Sequence, residues 1–271
     1  MLNITFDVGG TGTKCVIFEN NKEFERRYLN YIKEETEEQK LMIQTPLVVV
    51  LEEISKVLDS FDKEFNLAIS FPGIIDAKNK KILSESAISN IDLDLNKYFK
   101  KYKKLNKFII TNDAKAAVLG EYQERIKKNK SIFNMVHLTI GTALGAGIII
   151  NKKVIDGKNF QAGELGKMYS SLEKNNPSTV AIDTGLGSLL LKYFMKTGKS
   201  ISGEMLFKLF NSNDELVVQM MDEFTSHIAK LIINIDFMLD FDLVTIGGGI
   251  SVNEQFINMI KNKISIHKDF Y

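Results

Sequence analysis

Cysteine, histidine and net charge are what this sequence has least of. Cys15 is the single cysteine among 271 residues, so no intramolecular disulfide can form and a thiolate-rich zinc site lacks ligands. The three histidines, His137, His227 and His267, lie far apart in sequence, which disfavours a His-rich metal centre. Lys+Arg 35 against Asp+Glu 34 leave a net charge of +1. That balance supplies no bulk field to recruit nucleic acid or an anionic membrane. The longest apolar runs, such as Leu47–Leu51 and Ile148–Ile150, fall far short of the ~18 residues a membrane span needs. An acid, Asp7, stands where a signal peptide would carry its apolar stretch, so the expectation is a cytoplasmic protein. What is present, 44% hydrophobic and 25% charged residues, is the composition of a globular protein with one large or two modest domains.

Strand-like and helix-like segments alternate. Ile4–Asp7 enters a turn at Val8–Thr13, and a second β run, Lys14–Phe18, closes at Glu19-Asn20-Asn21. Leu47, Val50, Leu51, Ile54, Val57 and Leu58 have helical spacing. Leu67–Phe71 reads as a buried strand stopped by Pro72-Gly73, and Phe108–Thr111 as a strand ending at Asn112-Asp113. A helix with Ala114, Ala116, Ala117, Leu119 and Tyr122 begins there. Further helices are expected around Ser188–Lys196 and Leu216–Leu239, the second with Val218, Met221, Phe224, Ile228, Leu231, Ile232, Ile235 and Met238 as core positions. The strand Leu243–Ile246 then runs into Gly247-Gly248-Gly249. This alternation predicts a mostly parallel α/β sheet.

The chain also repeats itself. Val136–Thr142 leads through Ala143–Gly147 into Ile148–Lys152, and the offset from Asp7 to Thr139 is 139 − 7 = 132. At that offset Gly9 meets Gly141, Val16 meets Ile148 and Ile17 meets Ile149. Each half opens with strand, glycine turn, strand. Two readings fit: a chance match of glycine hairpins, or two similar lobes that each lend a glycine turn to one cleft. The second predicts an N-terminal lobe over residues 1–113 and a C-terminal lobe over 114–271.

Glycine turns placed directly after strands can present backbone amides to phosphates. Three occur here, at 9–12, 141–147 and 247–249, and neither the Walker A nor the Rossmann pattern describes them. Asp7, just before the first turn, suits Mg²⁺ held through water opposite nucleotide phosphates. Asp113, at a strand–helix junction, suits either a helix cap or a catalytic base, and the local pattern leaves both open.

Five stretches together resemble the ROK family of repressors, open reading frames and sugar kinases. They are Asp7–Thr11, Asn112–Glu121, Ile140–Gly147, Gly163–Gly166 and Ile246–Ser251, in the family's order over nearly the whole chain. The resemblance implies an α/β protein of the actin-like ATPase (ribonuclease H-like) fold, two α/β lobes around a nucleotide and sugar cleft. It implies that Gly9, Gly10, Thr11, Lys14, Gly141 and Thr142 handle ATP phosphates, with Gly247 and Gly248 beside the adenosine. It assigns Asp113 as the base, and Gly73, Asn90, Asn112 and Glu164 as sugar ligands. ATP and Mg²⁺, the latter at Asp7, are the implied cofactors, a small sugar the substrate, and a homodimer the expected assembly. No nucleic acid or membrane partner is expected.

The chain departs from the family pattern at three places. Lys167 stands where zinc-binding members carry His, and 175–180 holds no cysteine, so the zinc-free branch, with β-glucoside and some N-acetylmannosamine kinases, is the better match and no structural zinc is expected. Val180 falls about where a second sugar-binding Glu would be. The chain stops at Tyr271, soon after the third glycine turn, which carries an expectation of weak ATP affinity or self-association. The leading reading is a kinase that phosphorylates the primary (6-OH type) hydroxyl of a hexose or derivative such as glucose, a β-glucoside or N-acetylmannosamine. Beside it stands a shortened, catalytically impaired homologue that binds sugar in a regulatory role. A repressor is disfavoured because the first strand begins within four residues of Met1, before any helix-turn-helix could fit.

Overall fold

A computed structural model describes residues 1–31, 44–171, 173 and 177–268. The chain divides into two compact units, Met1–Ala116 and Ala117–Tyr271.

The first unit is built on β1 (Leu2–Val8), β2 (Gly12–Glu19) and β3 (Lys22–Asn30). Helix α1 (Leu47–Leu58), β4 (Phe65–Phe71), the short α2 (Leu95–Phe99) and β5 (Leu105–Asn112) follow. The sheet order is β3-β2-β1-β4-β5, antiparallel across the first three strands and parallel from β1 onward. Strand alternation explains β1: Leu2, Ile4, Phe6 and Val8 are buried while Asn3, Thr5 and Asp7 face the other way. Helix α1 covers the buried face with the residues its spacing predicts, Leu47, Val50, Leu51, Ile54, Val57 and Leu58. They pack with Phe6, Phe65, Phe71 and Phe99 into one core. Each such side chain contributes about 1.5–3 kcal/mol on burial.

Helix α3 (Asp113–Lys128) starts at the end of β5. In the second unit, β6 (Met135–Ile140), β7 (Leu144–Ile150) and the short β8 (Lys153–Val154) precede α4 (Val180–Thr184) and α5 (Leu186–Thr197). Then come α6 (Gly203–Asn211), α7 (Glu215–Leu239), β9 (Leu243–Gly247) and α8 (Glu254–Lys268). The sheet order is β8-β7-β6-β9, with β6 antiparallel to β7 and parallel to β9. This is the connectivity of β3-β2-β1-β4. The 132-residue offset carries Val8 onto Ile140 and Gly12 onto Leu144, the last residue of β6 and the first of β7. The repeat is therefore structural, and chance matching of hairpins does not account for it.

Helix α7 differs from expectation at two positions. On α7 the inward face is Val217, Met220, Met221, Phe224, Ile228, Leu231, Ile232 and Ile235, whereas Val218 and Met238 are exposed. On α3 Val118 is buried and Leu119 exposed. Near the start of α7 Val217 is buried instead of its neighbour Val218, because 3.6 residues per turn fixes which neighbour faces inward, and Met238 lies beyond Ile235, the last buried position. Among the described residues no helix is long and apolar enough to cross a membrane.

Candidate active site

The carboxyl ends of β1, β4 and β5 lie in register in the first unit. Asp7 pairs with Ser70, Ser70 with Thr111, and Phe71 with Asn112. Parallel α/β sheets bind ligands at this end of their strands. Asp7 is exposed, and Ser70 Oγ donates to its Oδ1 at 2.8 Å. Lys14 stands directly opposite Asp7 on β2, also exposed. A single accessible carboxylate, with one oxygen already oriented, suits a cation that keeps most of its own water.

The first glycine turn is tight for want of room. The Gly9 amide donates to Gly12 O at 2.9 Å, and a Cβ added at Gly10 would stand 2.9 Å from Ala87 Cβ. The Thr11 carbonyl accepts from the Tyr31 amide at 3.2 Å. None of Gly9, Gly10 or Gly12 has positive φ, so these glycines serve close approach and not an unusual backbone.

At the end of β5, Asn112 is the helix cap. Its Oδ1 accepts from the Lys115 amide at 3.0 Å, satisfying one of the orphan donors of α3. Its Nδ2 donates to Gly73 O and to Asp113 Oδ1, both at 2.9 Å. Asp113 Oδ1 also accepts from the Ala114 amide at 2.8 Å. The cap contact to the third helical residue is thus made by its neighbour. Asp113 sits in the first turn of α3, where the helix dipole favours a negative side chain. Gly73 has φ +99°, and a Cβ there would meet Ser84 O at 2.8 Å. Asn90 also adopts a left-handed backbone (φ +52°), and its amide donates to Glu85 Oε1 at 2.8 Å. The first unit therefore links Gly73, Asn112 and Asp113 by direct hydrogen bonds, with Asn90 at the end of the Ser84–Asn90 loop.

In the second unit the other two glycine turns touch. A Cβ at Gly248 would lie 2.2 Å from Ile140 O, and its φ of +92° favours glycine in any case. A Cβ at Gly247 would meet His137 Nε2 at 2.7 Å. His137 is buried, shares a hydrogen bond with Thr245 Oγ1 through Nδ1 (2.8 Å), and burial pulls its pKa below the usual histidine value, partly opposed by Glu121. Gly141 has open space at its Cβ position, with only Ala143 O at 4.0 Å.

Sequence reasoning missed what holds the Gly141–Thr142 turn. The Leu186 amide donates to Gly141 O at 2.9 Å and the Gly187 amide to Thr142 O at 3.1 Å. A Cβ on Gly185 or Gly187 would stand 2.8 Å from Thr142 O. The Gly-Leu-Gly run after Thr184 was the available signal, and it lay outside the three strand-following turns. Glu164 lies in the Gly163–Gly166 stretch, preceded by Gly163 at φ +91° against Ala146 O. Its carboxylate is 3.3 Å from Lys167 Nζ. Val180 is buried in the core of this unit. Asn175 and Asn176 lie outside the described residues. Among the described residues no three His, Cys, Asp or Glu side chains gather as a metal site.

Several known proteins resemble this chain over nearly its whole length. A β-glucoside kinase of Listeria innocua serovar 6a is 27% identical over 268 residues, covering 96% of this chain and 86% of the relative. The solved Lmo2764 protein of Listeria monocytogenes superposes with a TM-score of 0.84 at 26% identity, covering 98% of this chain and 89% of that one. A Streptomyces griseus ROK family glucokinase, solved with glucose and AMPPNP, gives a TM-score of 0.73 at 18% identity over 97% of this chain and 88% of that one. The fold is the actin-like α/β fold of these kinases. The ROK family model matches residues 3–268, and the chain belongs to the ROK family.

Proposed function

We propose that this protein is an ATP- and Mg²⁺-dependent carbohydrate kinase that phosphorylates a primary hydroxyl of a hexose or hexose derivative. The observation that carries the reading is the hydrogen-bonded group Gly73–Asn112–Asp113, in register with Asp7 at the carboxyl ends of three parallel strands. Relatives named as carbohydrate kinases support it.

Phosphoryl transfer asks a protein mainly for positioning and charge stabilisation. Asp113 orients the acceptor hydroxyl and takes its proton as the new O–P bond forms and the bond from the γ-phosphorus to the departing ADP oxygen breaks. Asn112 Nδ2 donates to Asp113 Oδ1 and to the Gly73 carbonyl, so one side chain sets the geometry of both. Gly73, Asn90, Asn112 and Glu164 are the proposed acceptor contacts. Amides of the turn at Gly9–Thr11, amides of the turn at Gly141–Thr142, and the Lys14 ammonium are the proposed groups that offset charge on the donor phosphates. Gly247 and Gly248 contact the adenosine. Asp7 would hold Mg²⁺ through water, and the ion would neutralise phosphate charge during transfer.

The acceptor is sought among several sugars, since buried Val180 supplies no carboxylate where the resemblance places a second sugar ligand. Sugar-dependent ADP release, measured across glucose, cellobiose, N-acetylmannosamine and N-acetylglucosamine, tests the reading. One sugar should raise ADP release well above the sugar-free rate; no stimulation by any of them opposes the proposal.

A further inference from the structure

One buried side chain joins the first glycine turn to the acceptor loop. Thr45 is 4% exposed and carries two contacts that point in different directions. Its Oγ1 donates to Gly10 O at 2.7 Å. Its amide donates to Ala87 O at 3.0 Å, within a parallel strand pair that matches Thr45 with Ile88 and Pro46 with Ser89. Gln44 Nε2 adds a bond to Ser86 O at 2.7 Å. The loop from Ser84 to Asn90 is thus tied to the 44–46 segment at one end, while Ser84 O lies against Gly73 at the other.

The bond to Gly10 fixes more than a carbonyl. A trans peptide is planar, with C=O and N–H pointing in opposite directions. Pinning Gly10 O therefore aims the Thr11 amide away from Thr45. A Cβ added at Gly10 would stand 2.9 Å from Ala87 Cβ, so the turn and the loop approach each other closely here. The Thr45 amide is bonded to the loop and its hydroxyl to the turn, so one residue spans both.

We propose that Thr45 is a positioning residue that couples acceptor-sugar binding to the seating of the donor phosphates, through its simultaneous bonds to Gly10 and Ala87. The proposal rests on the kinase reading above. It predicts synergy: each ligand tightens the other, by the same factor.

Thr45→Val keeps the shape and the amide but removes the hydroxyl; Thr45→Ser keeps the hydroxyl. Two measurements test the idea on the full chain. Hydrogen exchange on the ligand-free protein should show faster exchange in 9–12 and 84–90 together in Thr45→Val, and wild-type behaviour in Thr45→Ser. Calorimetry then gives sugar affinity with and without AMPPNP and Mg²⁺, with glucose, cellobiose and N-acetylmannosamine as probes. We expect AMPPNP to tighten binding of the preferred sugar about fivefold or more in wild type and Thr45→Ser, and less than about twofold in Thr45→Val. Absent synergy in wild type, or full synergy in Thr45→Val, overturns the coupling. Exchange confined to one of the two segments overturns the clasp itself. Failure of wild type to bind AMPPNP and every sugar refutes the kinase reading instead, and the exchange data still decide whether Thr45 joins turn to loop.

Discussion

Replacing Asp113 with Asn separates chemistry from architecture at a single atom. The amide oxygen of Asn can accept the same two hydrogen bonds that Asp113 Oδ1 now takes, from the Ala114 amide and from Asn112 Nδ2. The helix cap stays in place because Asn112 supplies it. What is lost is a negative charge in the first turn of α3, worth about 0.3–1 kcal/mol with the helix dipole. The loss of stability from that charge–dipole contribution should be about 1 kcal/mol or less. Catalysis should fall much further, since a general base contributes about 10²–10⁴-fold. That range corresponds to about 2.7–5.4 kcal/mol of barrier at 1.36 kcal/mol per decade. The assay is kcat at saturating ATP and sugar, with acceptor Kd from calorimetry and urea unfolding as controls. A kcat within about threefold of wild type, in a folded variant with normal Kd, would refute the base assignment and leave Asp113 as a structural residue.

Three more outcomes are expected. Gly248→Ala forces a Cβ onto Ile140 O in a left-handed backbone, so the variant should lose at least about 1–3 kcal/mol in urea unfolding, and wild-type stability would contradict the packing described. His137 has a folded-state pKa below its ordinary 6.5, so the unfolded chain binds more protons as pH drops through that value. Its contribution is complete above 6.5 and lost as pH falls toward the folded pKa; chemical denaturation from pH 7.5 down to about 5 should show a decline that is shallower in His137→Gln. Cys15 is fully buried with its thiol pushed up to about 11, so it should resist a disulfide reagent in the native protein and react in denaturant; fast native labelling would contradict its burial.

The parts of this fold that sequence made legible are those where local pattern and burial coincide. β1 alternates cleanly, α1 buries every position its spacing marks, and the two strand–turn–strand openings share one offset. β3 escaped because Lys22–Asn30 is an edge strand with little burial, so its charges carry no apolar alternation. In the site, glycine turns following strands were visible, but why each glycine is needed was not. Gly248 answers to φ and to Ile140 O, Gly10 to Ala87, and Gly247 to the His137 ring, and each neighbour is distant in sequence. Asn112 and Asp113 were adjacent candidates, and only hydrogen-bond geometry shows that Asn112 makes the cap bond. Thr45 carries no local mark of its contacts, and the Gly-Leu-Gly run at 185–187 does not tell which turn it meets, because those contacts form only once strands and helices are assembled.

The central claim is transfer of a phosphoryl group from ATP to a primary sugar hydroxyl, and product identification tests it most directly. The purified protein is incubated with ATP, Mg²⁺ and each sugar of the panel, and the products are read by phosphorus–proton correlated NMR. The account predicts a new phosphate ester whose phosphorus couples to a CH₂ group, with equimolar ADP and no product from Asp113→Asn on the same timescale. An ester coupled to a single ring proton, or ATP consumed only to inorganic phosphate, would contradict it.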